Sequence, residues 1–272
     1  MVQPSPLLAA ERCGSGEAVV FLHGIGGNRE NWRSQFDALA RDYSPVIFDF
    51  RGYGDSDKIN GDFDLFDFID DTRRIMDAFE IDKAHIVGLS MGGLVAQAFY
   101  KRHKQRVRSL CLAACRPGSA PVPEDAQGFN RERLRPLAND GTTEALADSL
   151  LPRLLGPCVT PEASHAIRDS LLRLHIPSYQ TIVAARTAMR PFLDPATIDV
   201  PTLVVAGGAD RVAPPNQMQA LAAAIPGSRY TLFDEAGHLL NIERSDDFNA
   251  ALIQFLQWVS DGPGATKARA KM

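Results

Sequence analysis

Lysine is scarce in this chain. Six of its 29 basic residues are Lys and 23 are Arg, and 33 acidic residues outnumber them, for a formal net charge of −4 at pH 7. A mildly acidic protein does not attract phosphate backbones or anionic headgroups, so composition offers no case for nucleic acid or a membrane surface as partner. Cysteine is sparse too. Cys13, Cys111, Cys115 and Cys158 have no C-x-x-C spacing, which argues against a zinc site and against a disulfide framework. Cys111 and Cys115 sit in an apolar run and read as small buried hydrophobes. No apolar run reaches the length of a membrane span, and residues 1–10 lack a basic segment followed by a long apolar core. Neither a transmembrane helix nor a signal peptide is expected, and the cytosol is the expected compartment. No internal repeat and no His/Cys/carboxylate cluster with metal spacing appear, so no metal is expected.

What is present is a chain of 272 residues with 45% hydrophobic and 23% charged content, enough for a full core. After a weakly patterned opening, whose Gly14-Ser15-Gly16 suggests the turn of an edge hairpin, apolar runs alternate with helical stretches. Strands are expected at 18–22, 45–50, 84–89 and 107–115, and helices at 30–41, 63–80 and after Ser90. Strands that are apolar throughout and alternate with helices predict a mostly parallel sheet covered by helices on both faces. From 116 to 195 the alternation stops. That stretch reads as four helical pieces separated by Pro and Gly, after which strands resume at 202–206 and 229–233. The reading is one α/β core domain (1–115 and 196–260) interrupted by a helical cap insertion (116–195), with a tail at 261–272 expected to be disordered.

The organising stretch is His85-Ile86-Val87-Gly88-Leu89-Ser90-Met91-Gly92-Gly93, a buried strand running into Gly-x-Ser-x-Gly and then into a helix. Such a turn forces Ser90 into a strained conformation and brings the residues two before and two after it together, which Gly88 and Gly92 permit. The Ser90 hydroxyl is thereby presented at a helix N-terminus, where negative charge is favoured.

Ligands bind open parallel sheets at the carboxyl ends of the strands, and three such loops carry chemistry. Ser90 follows one strand, Asp210 follows another in Gly207-Gly208-Ala209-Asp210, and His238 follows the last in Asp234-Glu235-Ala236-Gly237-His238. A serine hydroxyl is hardly ionised at neutral pH and needs His238 as base, while His238 needs a carboxylate to fix its tautomer. Asp234 lies too near His238 in the chain to approach it from the far side, so Asp210 is the preferred acid. His85, His103, His165 and His175 read as structural or solvated, and His23 as part of a turn near the site. For an oxyanion, the backbone N–H of Met91 is one candidate donor. Ile25, in the Gly-rich turn His23-Gly24-Ile25-Gly26-Gly27, is the other.

Leu22-His23-Gly24, Asp49-Phe50-Arg51-Gly52-Tyr53-Gly54-Asp55-Ser56, Gly88-Leu89-Ser90-Met91-Gly92-Gly93, Gly207-Gly208-Ala209-Asp210 and Gly237-His238 together resemble the α/β-hydrolase fold family. The subgroup most similar is the cofactor-free one of 3-oxoadipate enol-lactonases, small esterases and perhydrolases. The resemblance implies a Ser90–His238–Asp210 triad, no cofactor, and hydrolysis of a small-molecule carboxylic ester or lactone through an acyl-enzyme. It also leaves open hydrolysis of a carbon–carbon bond in a ring-cleavage product, and a non-catalytic ligand-binding role. Serine at position 90, where dehalogenases and epoxide hydrolases use a carboxylate, argues against those chemistries. The Arg51 loop is expected to be structural.

The insertion should roof the pocket. It holds nine Arg, nine Asp/Glu and no Lys, and Arg forks suit carboxylates. Arg116, Arg186 and Arg190 are candidates for a substrate carboxylate, and Trp32, Phe129 and Met189 for the pocket lining. Oligomeric state is not legible.

Overall fold

A computed structural model describes residues 6–120, 126–139, 141–188 and 190–262. The chain forms seven strands, and the unbroken apolar runs become the central ones. The seven are β1 (Ala10–Arg12), β2 (Ala18–Leu22), β3 (Ser44–Phe48), β4 (Ala84–Leu89), β5 (Val107–Ala113), β6 (Thr202–Gly207) and β7 (Arg229–Phe233). They form one sheet in the order β1-β3-β2-β4-β5-β6-β7, parallel throughout except for the β1–β3 pair. Every residue of β2, β3, β4 and β6 is buried, so burial on both faces rather than alternation explains their composition.

The helices of the core are α1 (Arg33–Leu39, entered through a 3-10 turn at Arg29–Trp32), α2 (Asp67–Ala78) and α3 (Met91–Arg102). Between β5 and β6 come α4 (Ala126–Asn139), α5 (Thr143–Leu154), α6 (Pro161–Leu172) and α7 (Ile176–Ala188), and after β6 come α8 (Pro215–Ala224), α9 (Leu240–Glu243) and α10 (Ser245–Asp261). Side-chain caps fix the cap-helix starts. Thr142 accepts from the Ala145 N–H, and Thr160 accepts from the Ala163 N–H with Pro161 at the first helical position. In the insertion α4 packs on α5 and α7, and α5 on α6; α6 in turn rests on the 3-10 turn and α9 of the core. That seat puts the insertion over the carboxyl ends of the strands.

Three expectations are corrected. The opening segment makes no hairpin with β2. β1 instead crosses to the sheet edge and runs antiparallel to β3, with Ala10 opposite Phe48. Gly14 and Gly16 carry the chain around this corner at positive φ, pressed so closely on the backbone of residues 40–43 that a side chain would have no room. The helix expected from residue 63 begins at Asp67, because the Asp64 carboxylate accepts the Phe66 N–H and Asp67 accepts the Asp64 N–H, a local turn that competes with the helix. The tail begins later than expected, since α10 continues through Asp261; residues 263–272 lie outside the described residues.

Candidate active site

β4 delivers Ser90 to a turn of unusual backbone, φ 55° and ψ −114°, outside the regions open to ordinary residues. The glycines explain how the turn closes. A Cβ on Gly88 would run into the Gly92 carbonyl, and one on Gly92 into the Leu22 carbonyl. Ser90 is held by its own N–H, which donates to the Ala113 carbonyl of β5 at 2.9 Å.

Two other strand ends converge on it. Asp210 follows β6, and its Oδ1 accepts the N–H groups of Val212 at 2.7 Å and Ala213 at 3.0 Å. Its Oδ2 faces His238 Nδ1 at 2.8 Å, and His238 Nε2 lies 2.9 Å from Ser90 Oγ. All three side chains are buried, whereas Asp234 is exposed. With Asp210 as a fixed acceptor, Nδ1 carries the proton and Nε2 is left to accept from serine. The His238 N–H donates to the Leu154 carbonyl, tying this loop to the end of α5.

The Gly-rich turn after β2 lies against the serine: a Cβ on Gly24 would meet the Ser90 Cβ at 3.3 Å. Ile25 lines the pocket that contains Ser90 and His238. Met91 is the first residue of α3, where helix N–H groups have no intrahelical acceptor. Behind the turn His23 is wholly buried. Its Nε2 accepts the Phe50 N–H at 3.2 Å, its Nδ1 donates to the Gly24 carbonyl at 2.9 Å, and its ring packs on Phe50 and Tyr53.

The adjoining charged residues are structural braces. Arg51 forms a fork on Asp71, 2.7 and 2.9 Å, as expected for that loop. Asp49, fully buried, receives the backbone N–H groups of Arg29 and Asp55 and an ion pair from the Arg29 guanidinium.

The pocket is lined by Gly24–Gly27, Asn31, Leu89, Ser90, His238 and Leu239 from the core, and by Arg133, Leu154, Ile167, Ser170, Leu171 and Arg186 from the insertion. Of the substrate-contact candidates, Arg186 reaches it. Burial, then the like charges of Arg133 and Arg116, pull the Arg186 pKa down to about 10. Arg116, half-buried at the start of the insertion, is near enough to be felt by Arg186 but is not in the lining. Arg190 is a correction. It is exposed beyond the end of α7, on an outer groove with Phe66 and Phe192. Trp32 is another: its ring is fully buried between Phe21 and Phe248 and belongs to the core. The Phe129 side chain and Met189 lie outside the described residues. Arg133, Asn31 and Ser170 were not singled out from sequence. Nothing in the pattern around Arg133 distinguishes it from the other arginines of the insertion.

Serine, imidazole and carboxylate in line at three strand ends, beneath an inserted helical cap, define the class. A family model described as the alpha/beta hydrolase fold matches residues 17–245, and the chain belongs to that family. Its structure is similar to that of a thermophilic esterase from Thermogutta terrifontis, with TM-score 0.85 and 29% identity over 93% of each chain. It is similar also to the enol-lactonase from Burkholderia xenovorans LB400, with TM-score 0.80 and 29% identity over 92% of this chain and 96% of that one. A dihydrolipoyllysine-residue acetyltransferase component of the acetoin cleaving system of Cupriavidus necator is 32% identical over 265 residues, 91% of this chain. The chain spans 65% of that relative's length. Among the described residues no helix is long and apolar enough to cross a membrane.

Proposed function

We propose that the protein is a serine hydrolase that cleaves a small-molecule carboxylic ester or lactone through an acyl-enzyme, with Ser90, His238 and Asp210 as its triad. The observation that carries this reading is the hydrogen-bonded line from Ser90 Oγ through His238 to a carboxylate already held by two backbone N–H groups. The esterase and enol-lactonase among its structural relatives support the choice of bond.

In the first half-reaction Ser90 Oγ attacks the carbonyl carbon as its proton passes to His238 Nε2, and Asp210 steadies the imidazolium. The N–H groups of Ile25 and Met91 hold the developing oxyanion. Collapse breaks the bond to the leaving oxygen, which takes the proton from His238. Water, deprotonated by the same imidazole, then releases the acid. No step calls for a metal or other cofactor. The insertion forms the lid that selects the substrate. Free thiols at Cys111 and the nearby Cys115 fit a cytosolic setting.

The test is covalent. A fluorophosphonate should label the wild type once and Ser90→Ala not at all, and Ser90→Ala should lose about ten-thousandfold or more in turnover with its circular dichroism intact. Ester hydrolysis near the wild-type rate in a folded Ser90→Ala protein would overturn the assignment.

A further inference from the structure

We propose that the open groove beside the catalytic pocket is the leaving-group subsite, and that it takes a polyhydroxylated alcohol, a polyol or sugar, esterified with a short acyl group. The inference rests on the reading of Ser90 as nucleophile and adds both halves of the substrate.

Asn31 and Ser170 line the pocket of Ser90 and also this groove, so the two spaces share a wall. The groove lies on the side of the general acid. Along one short segment His238 and Leu239 line the pocket, and Asn241, Ile242 and Ser245 then line the groove. When the tetrahedral intermediate collapses, the bond from the acyl carbon to the leaving oxygen breaks, and that oxygen takes its proton from His238 Nε2. The departing alcohol therefore sits on the imidazole side of the acyl carbon, and the segment after His238 leads from there into the groove. In the pocket itself Leu89, Leu154, Ile167 and Leu171 crowd Ser90 and leave little depth for an acyl chain.

The groove is about 490 Å³, in the range of small-ligand sites, and its lining is hydroxyls, amides and charged groups apart from Ala163, Ala166 and Ile242. Asn241 points to what it binds. Its side chain is wholly buried, and its Nδ2 donates to the Asn31 carbonyl at 2.8 Å and to Gln35 Oε1 at 3.4 Å. Gln35 spends its own Nε2 on the Asn241 carbonyl and on Asn249, which fixes both amides: the edge of Asn241 that faces Asn31 and Gln35 is the donor edge, and the other is Oδ1. That Oδ1 is buried and accepts from no donor among the described residues. A buried acceptor without a donor is costly, and a ligand hydroxyl supplies one. Charge favours a neutral ligand. Glu30 is held in a fork by Arg33, while Glu162 and Asp169 stand against Arg173 and the nearby His165. A hydroxyl both donates and accepts, so a polyol can use carboxylates, amides and guanidinium alike.

The experiment compares methyl glucoside acetylated at its primary hydroxyl with cyclohexylmethyl acetate, the same primary acetate on a ring with and without hydroxyls. The specificity constant is measured for wild type, Asn241→Ala and Asp169→Ala, with free methyl glucoside as a competitive inhibitor of cyclohexylmethyl acetate hydrolysis. The wild type should favour the sugar ester about tenfold or more, the yield of two net hydrogen bonds, and be inhibited by methyl glucoside. Each variant should lower the sugar-to-cyclohexyl ratio about fivefold, the effect of one lost hydrogen bond, and weaken the inhibition in parallel. The ratio cancels any general loss of activity, such as Asn241→Ala would bring by loosening its hold on Asn31. An unchanged ratio and unchanged inhibition in both folded variants would overturn the subsite. So would a wild type that prefers the cyclohexyl ester and ignores methyl glucoside, a result that needs no variant to fold. A wild type that takes the fluorophosphonate label but hydrolyses neither acetate would overturn the short acyl group. Failure of the serine-hydrolase reading looks different: the wild type would hydrolyse neither ester and take no label.

Discussion

The Asn31 side-chain amide donates to the Ser170 hydroxyl at 2.7 Å, joining the 3-10 turn of the core to α6 of the cap. Both residues line two spaces at once. On one side is the pocket of Ser90, about 20 Å³ in this closed form, and on the other an open groove of about 490 Å³ bordered by Glu30, Thr160, Asp169 and Arg173. A space of about one water is too small for an acyl group, and the expected point of entry is the wall that Asn31 and Ser170 share. Loss of one neutral hydrogen bond of about 1 kcal/mol should shift the closed–open balance roughly fivefold toward open. Ser170→Ala is therefore expected to raise the specificity constant for a bulky ester relative to an acetate ester by up to that factor. An unchanged ratio for the two esters would place the entrance elsewhere.

His23 makes a second prediction, about acid stability. Burial holds its pKa below the ordinary 6.5, against the opposing charge of Asp49, and burial lowers that of His85 in the same way. Protonating Nε2 of His23 would set a new N–H against the Phe50 N–H that it now accepts. The unfolded chain protonates near 6.5 and the folded chain at lower pH, so below 6.5 the unfolded state binds more protons and stability falls as pH falls. Stability is fully present above 6.5, and each histidine contributes a slope of up to about 1.4 kcal/mol per pH unit between the two pKa values. His23→Gln keeps an acceptor for Phe50 but cannot titrate. Its Tm should drop less than that of the wild type between pH 7.5 and 5.5, with His85 and His103, both also lowered by burial, contributing to the drop that is left. Parallel curves for the two proteins would refute a neutral, buried His23.

These contacts show where sequence stops being informative. β2 and β4 occupy the expected residues, because an apolar run bounded by turn residues records burial directly. β7 does so as well, although none of its residues is buried. β1 was missed as an edge strand on β3. It is three residues long, only partly buried, and its partner lies far along the chain. Ser90, Asp210 and His238 were legible since each ends a strand and carries a distinctive side chain. The pocket wall was not. Arg133, Arg186 and Arg190 look alike in a Lys-free insertion, and it is the packing of α4 on α7 that brings the first two to the pocket while the third stays outside. Trp32 was a candidate for the lining. The 3-10 turn rotates its ring onto Phe248 of α10 instead.

Glu243 carries the last prediction. Its Oε2 accepts the N–H groups of Gly156 at 2.8 Å and Gly237 at 3.0 Å, and its Oε1 accepts that of Leu239 at 3.3 Å. One carboxylate thus clasps both flanks of His238 and the segment that leaves the cap helix α5. Burial raises its pKa, the three N–H groups oppose that shift, and Asp210 adds to it. The packing around it leaves no slack, since a Cβ on Gly237 would strike the Gly156 N and the Leu154 carbonyl. Glu243→Ala strands three buried donors at about 1 kcal/mol or more each, so it should lose about 3 kcal/mol of stability. It should also lower kcat, because the His238 loop is no longer held in line with Ser90. Glu243→Gln discriminates positioning from general destabilisation: its single amide oxygen can still take the Gly156 and Gly237 N–H groups, so most of kcat should return, with a smaller deficit in Tm left by Leu239. Equal kcat losses in Gln and Ala variants that are both folded at the assay temperature would show that the negative charge itself, rather than the clasp, is what the site requires.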